Sequence, residues 1–223
     1  MTLVAPKSFA VVEPGLYRSA VFSREHFGFI RHLKLRTVLY LASEEAPKAI
    51  KDFCVDEEIN FINLGTMQPF SRAADWSPLR GDLSKVALEN VLDATKMPLM
   101  TVCLNGVEQT GTLIGCLRKI QGWSFASIVE EHRRFCEVSA RSFIEHYIEF
   151  FDVDLVTLPK QVPDWFAADL ALFRAEEAEI RLARQQPQQS TTQPLIVHQQ
   201  PPVAPRGHNN ERGGRSRRAS SSQ

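Results

Sequence analysis

The chain has 223 residues, with 26 Lys and Arg balanced by 26 Asp and Glu, and is 43% hydrophobic and 23% charged. That length suits one packed domain with a tail rather than two domains, and the composition excludes a collagenous, wholly disordered or disulfide-scaffold protein. Four cysteines, Cys54, Cys103, Cys116 and Cys136, none in a C-x-x-C pair, argue against a disulfide framework or a zinc knuckle and fit a reducing compartment.

At the amino end, Pro6, Lys7 and Ser8 interrupt what a secretory signal would need as an apolar run, so no export signal is expected there. Apolar residues at helical spacing follow over 25–33, and 38–42 is a short β-rich run. A helix over 47–57, a strand over 60–64, a helix over 84–92 and a strand over 99–103 continue the alternation, with Pro47 and Ser84 placed as helix starts. Three more helical stretches, 110–121, 125–135 and 142–151, complete the pattern. Strands alternating with helices predict an α/β fold, a mainly parallel sheet covered on both faces, with ligands at the carboxyl ends of its strands.

Residues 1–165 are therefore expected to form the domain, and 166–184 a charged helical arm whose apolar stripe is only Leu170, Phe173 and Ile180. From 185 to 223 the chain is Gln/Pro-rich and then Arg/Gly/Ser-rich, with too few apolar residues to offset the entropy of ordering, and reads as a disordered tail. From Ala183 onward six arginines face a single glutamate, which leaves the rest of the chain acidic. No apolar run approaches the ~20 residues that cross a bilayer, so no membrane partner is expected. Arg212-Gly213-Gly214 is an isolated element without stacking residues, which makes nucleic acid an unlikely partner; Ser220 after Arg217-Arg218 has the form of a basophilic kinase target.

One strand end carries chemistry. Val102-Cys103-Leu104-Asn105-Gly106-Val107-Glu108-Gln109-Thr110-Gly111 passes from a strand through a glycine loop into a helix, where backbone N–H groups and the positive helix end converge on an anion. A cysteine at the start of such a loop is placed to attack phosphorus, provided that an arginine six positions on grips the phosphoryl oxygens. Here that position is Gln109, a neutral side chain with neither the charge nor the five-donor fork. Glu108 adds negative charge to the same loop.

Cys103 to Arg134, with Thr110-Gly111, Gly115-Cys116-Leu117-Arg118-Lys119, Trp123 and His132-Arg133-Arg134-Phe135, resembles the plant-and-fungal atypical dual-specificity phosphatases of the protein tyrosine phosphatase superfamily. Their pattern is His-Cys, two residues, Gly, two residues, Arg-Thr-Gly, followed by a helix ending in Leu-Arg-Lys. Upstream, Pro14-Gly15-Leu16-Tyr17-Arg18-Ser19 and the segment from Phe29 to Leu39 resemble the family's entry and first helix-to-strand unit. Within the family the chain looks closest to the fungal tyrosine phosphatases of the oxidant-induced cell-cycle-arrest group. The resemblance implies a soluble cytoplasmic protein with a tyrosine-phosphatase-like fold, a phosphorylated ligand such as a phosphoprotein or an inositol pyrophosphate, and assembly with related phosphatase-family subunits.

Two departures stand out against that pattern: Val102 replaces the histidine and Gln109 the arginine. Losing one transition-state donor costs roughly 3 to 4 kcal/mol, and a charged donor more. The expectation is a catalytically impaired phosphatase homologue that acts as a complex subunit, with Cys103 a vestigial or weak nucleophile in a phosphate loop of Leu104, Asn105, Gly106, Val107, Glu108, Gln109 and Thr110. The alternative is an active enzyme working through a Cys103 phosphocysteine. For that alternative, Asp75 or Asp82 is the candidate general acid and Arg72 or Arg80 the candidate replacement cation, each equally readable as a surface or capping residue. Arg18 is read as structural, His132-Arg133-Arg134 as a solvated, salt-bridged helix face, and Met67, Trp76 and Trp123 as packing residues. The spacing of His26, His32, His132 and His146 predicts no metal, and no cofactor is expected.

Overall fold

A computed structural model describes residues 3–65, 81–136 and 142–185. Contacts divide the chain into Met1–Ala183 and Arg184–Gln223, and the fold below is that of the first unit. Among the described residues five strands form one sheet in the order β1-β2-β5-β3-β4. They are β1 (Ala10–Glu13), β2 (Leu16–Ala20), β3 (Thr37–Tyr40), β4 (Asn60–Asn63) and β5 (Leu99–Cys103). Only the hairpin β1–β2 is antiparallel; β2, β3, β4 and β5 run together, as the alternating pattern requires.

The three strands read from sequence are present, whereas β1 and β2 were not foreseen. The reason lies in β2, Leu-Tyr-Arg-Ser-Ala, whose Arg18 and Ser19 are buried polar residues inside a strand and erase its apolar signature. In register, Ala20 pairs with Cys103 and Tyr40 with Val102, so β5 ends between two neighbours at the center of the sheet.

The described residues contain seven α-helices: α1 (Phe27–His32), α2 (Lys48–Asp56), α3 (Gly81–Val91), α4 (Glu108–Ile120), α5 (Phe125–Arg133), α6 (Ser142–Phe150) and α7 (Asp164–Gln185). Right-handed crossovers put α1 and α2, which carry the chain outward from β2 to β4, on one face, and α3, which returns it to β5, on the other. Phe27 of α1 stacks on Phe53 of α2 at 4.1 Å, closing the first layer. Ser84 is not a helix start but lies within α3, where its buried hydroxyl meets Tyr147 Oη of α6 at 2.7 Å.

Helix α4 is the buried center of the second layer, with every residue from Thr110 to Arg118 inside. Two glycines one turn apart allow this. A Cβ on Gly111 would lie 2.7 Å from His132 Nδ1 of α5, and one on Gly115 would lie 2.3 Å from Ile148 Cδ1 of α6. The Leu-Arg-Lys end of α4 is structural. Arg118 holds Glu131 through Nε at 2.9 Å and Nη2 at 3.1 Å, also bonds Glu13 and the Val12 carbonyl, and stacks on Trp123. Lys119 Nζ caps the end of α6 by donating to the Ile148, Glu149 and Phe151 carbonyls. The arm read over 166–184 belongs to α7, whose Phe166 is fully buried and whose Phe173 meets Gly122, whereas Ile180 is exposed.

Candidate functional site

Cys103 is the last residue of β5 and is fully buried. The turn that follows depends on Gly106, at φ +70, where a Cβ would collide with Ala20 N at 2.6 Å and Ser8 Cβ at 2.7 Å. Helix α4 begins at Glu108, two residues earlier than periodicity suggested, so Glu108 and Gln109 lie in its first turn. The strand end, glycine turn and helix start thus bring together all the predicted loop residues. Leu104 is exposed, Asn105, Val107, Glu108 and Gln109 are half-buried, and Gly106 and Thr110 are buried.

The loop's donors converge on one atom. Asn105 Oδ1 accepts the Val107 N–H at 2.8 Å and the Glu108 N–H at 3.1 Å, and the Cys103 thiol donates to it at 3.6 Å. Asn105 Nδ2 in turn donates to Glu108 Oε1 at 3.3 Å, and Ser8 Oγ holds the Asn105 carbonyl at 3.0 Å. One carboxamide oxygen is thus the shared acceptor of the strand-end thiol and of two N–H groups at the start of α4.

Beneath the loop lies a charge that sequence reading placed in a merely structural role. Arg18 of β2 is 2% exposed, and its Nη2 donates to the Gly106 carbonyl at 2.7 Å. Its guanidinium lies 3.7 Å from the center of the Phe135 ring. Burial lowers its pKa to about 10 despite Glu131, Cys103 and Cys136 pulling upward, so at neutral pH it remains a cation.

His132 completes this layer, and the expectation of a solvated helix face fails for it. It is buried against Gly111, with Nε2 3.5 Å from Cys136 Sγ, and burial followed by the Arg18 charge lowers its pKa to about 4. Arg133 and Arg134 do face outward, pairing with Glu145 and Glu130. The signal for His132 was available, since Ile128 four residues earlier is a core residue on the same helix face. For Arg18 the local sequence, a charged residue between Tyr17 and Ser19, carries no signal of burial.

Asp82 is exposed in the first turn of α3, where its Oδ1 accepts the Leu83 N–H at 3.2 Å. Met67, Arg72, Asp75, Trp76 and Arg80 lie outside the described residues. Among the described residues no group of three His, Cys, Asp or Glu side chains is arranged to hold a metal ion. No helix among them is long and apolar enough to cross a membrane. Burial pushes the thiols of Cys54 and Cys116 upward, Cys54 to about 12, which marks both as inert core residues.

Comparison with known proteins agrees with this architecture. Residues 3–169 match the model described as "Tyrosine phosphatase family". "Putative tyrosine-protein phosphatase OCA1" of Scheffersomyces stipitis is 37% identical over 178 residues, covering 74% of this chain and 84% of the relative. "Probable tyrosine-protein phosphatase DG1060" of Dictyostelium discoideum is 35% identical over 162 residues, covering 73% of this chain and 95% of the relative. Among solved structures, the core catalytic domain of the PP-IP phosphatase SIW14 from S. cerevisiae, in complex with citrate, superposes with a TM-score of 0.62 at 34% identity. That match covers 69% of this chain and 90% of the other. With the cysteine-to-helix loop at the end of the central strand and a family match over three quarters of its length, the chain belongs to the tyrosine phosphatase family.

Proposed function

We propose that this protein is a catalytically impaired phosphatase homologue that works in the cytoplasm as a subunit of a complex with related phosphatase-family proteins. The observation that carries the reading is Gln109, in the first turn of α4, at the position where Cys103 chemistry needs a guanidinium. Phosphoryl transfer in such a loop rests on charge that meets the transition state, and a neutral carboxamide cannot supply it. Arg18 does not replace it, because its Nη2 is engaged with the Gly106 carbonyl beneath the loop. Full burial of Cys103 and the carboxylate of Glu108 in the loop weigh the same way.

The test is a paired assay of wild type and Cys103→Ser with an aryl phosphate, a phosphotyrosine peptide and an inositol pyrophosphate. Equal background rates for the two folded proteins are expected, together with co-purification of related subunits from a native source. Turnover abolished by Cys103→Ser would overturn the impaired reading.

A second reading, an active phosphatase using a Cys103 phosphocysteine, draws on the intact cysteine at the strand end. It also draws on the SIW14 relative, described as a PP-IP phosphatase. In that case the inositol pyrophosphate would be the substrate showing Cys103-dependent turnover.

A further inference from the structure

We propose that the phosphate loop is held shut by its own Asn105, whose carboxamide oxygen occupies the seat of an oxyanion oxygen and must swing out before any phosphorylated ligand can enter. This rests on the reading of the site as a phosphatase-family loop and adds how that site is regulated. Three donors from three consecutive parts of the site meet Asn105 Oδ1: the strand-end thiol of Cys103 at 3.6 Å, the loop N–H of Val107 at 2.8 Å and the helix N–H of Glu108 at 3.1 Å. They belong to the donor set that would otherwise face a bound oxyanion, and each N–H is a group that the interior does not leave unpaired without cost. The other half of the amide is also engaged, because Nδ2 donates to Glu108 Oε1, while the backbone carbonyl of Asn105 separately accepts from Ser8 Oγ. Both ends of the side chain are satisfied within the loop, so the closed arrangement has an energetic floor that an incoming ligand must exceed.

The loop backbone itself is fastened from below. The Gly106 carbonyl is tied to Arg18 Nη2 at 2.7 Å, and Gly106, at φ +70, lies so close to β2 that a Cβ there would meet Ala20 N at 2.6 Å. The scaffold of the cradle is therefore rigid, while its occupant is one side chain with rotatable bonds. Displacement of that side chain opens the seat without refolding the loop.

Tungstate, a non-hydrolysable tetrahedral oxyanion, is the probe. Its affinity is measured by calorimetry, and by the NMR shifts of the Val107 and Glu108 amides, for wild type, Asn105→Ala and Asn105→Asp. The same series is repeated on Gln109→Arg, which returns a cation to the loop. Asn105→Ala is expected to bind tungstate at least about tenfold more tightly than its parent in each background, ~1.4 kcal/mol. Asn105→Asp, which keeps an acceptor in the seat and adds charge, is expected to bind more weakly than its parent. Equal affinity of Gln109→Arg with and without Asn105→Ala overturns the proposal. Should Asn105→Ala fail to fold, the Asn105 side-chain amide of Gln109→Arg decides. Its resonance moving with those of Val107 and Glu108 during titration supports displacement, and its remaining fixed while they move overturns it. Cys103-dependent turnover by wild type would defeat the impaired reading alone, since the affinity ratio between parent and Asn105→Ala is measured independently of turnover.

Discussion

Arg18 and Gly106 stand 88 residues apart and are joined by a hydrogen bond of 2.7 Å that fastens the phosphate loop to the neighbouring strand. The bond exists because Ala20 pairs with Cys103 across the β2–β5 ladder, which sets Arg18 on the strand beside the loop. Removing the guanidinium would leave the Gly106 carbonyl buried and unpaired. Arg18→Met is therefore expected to lower stability by about 2 kcal/mol or more in urea unfolding. Arg18→Lys, which keeps the charge but loses the planar fork over Phe135, should recover only part of it.

His132 makes the fold sensitive to acid. Its folded pKa of about 4 lies below the ordinary value of 6.5, so between those values the unfolded chain binds the extra proton. Stability contributed by neutral His132 is complete above about pH 6.5 and is lost as pH falls toward 4, at a slope of at most ~1.4 kcal/mol per pH unit. Urea midpoints of His132→Gln should lose this component of the slope over the same window. An unchanged slope would mean that the residue is not buried neutral beside Arg18.

Gly115 is required by the closeness of α4 and α6. A methyl group there meets Ile148 Cδ1 at 2.3 Å inside a fully buried contact, so Gly115→Ala is expected to cost roughly 1 to 3 kcal/mol. Ile148→Val deletes the nearer clashing carbon and leaves Cγ1, at 2.9 Å, to give way, so in a double-mutant cycle the pair should be less destabilised than the two single changes added together.

Arg118 serves two carboxylates and a backbone carbonyl from inside the core. Arg118→Met would take the guanidinium from Glu131 and leave Glu13 to the Gln121 amide, and a loss of about 3 kcal/mol is expected by equilibrium unfolding. The same protein should show a blue-shifted or altered Trp123 fluorescence, because the guanidinium stacks 4.3 Å from that ring's center.

Restoring the missing charge alone should restore little chemistry. Gln109→Arg leaves Val102 before the nucleophile, Glu108 in the loop and Asn105 in the seat. At most partial, Cys103-dependent turnover of an aryl phosphate is expected; family-like rates from the single substitution would show those three residues to be immaterial.

Local pattern reached as far as it had periodicity to work with. β5, the glycine turn and α4 were legible because an apolar strand, a glycine and an amphipathic helix follow one another without interruption. β2 was illegible because its buried polar residues are compensated by partners distant in sequence. His132 was misread because its charged neighbours dominate the local composition, although its spacing from Ile128 places it on the inner face.

The amino-acid sequence by itself determined that the loop has a cysteine and no arginine, since the chemistry of Gln109 does not depend on where the chain goes. It also determined the alternation that yields a parallel sheet. Tertiary structure alone decided that Arg18 would lie beneath the loop and that His132 would be stripped of water. The conformation of the loop decided that Asn105 would take the anion's place. These outcomes depend on strand register, helix packing and the competition among buried donors for the nearest acceptor, none of which local spacing encodes.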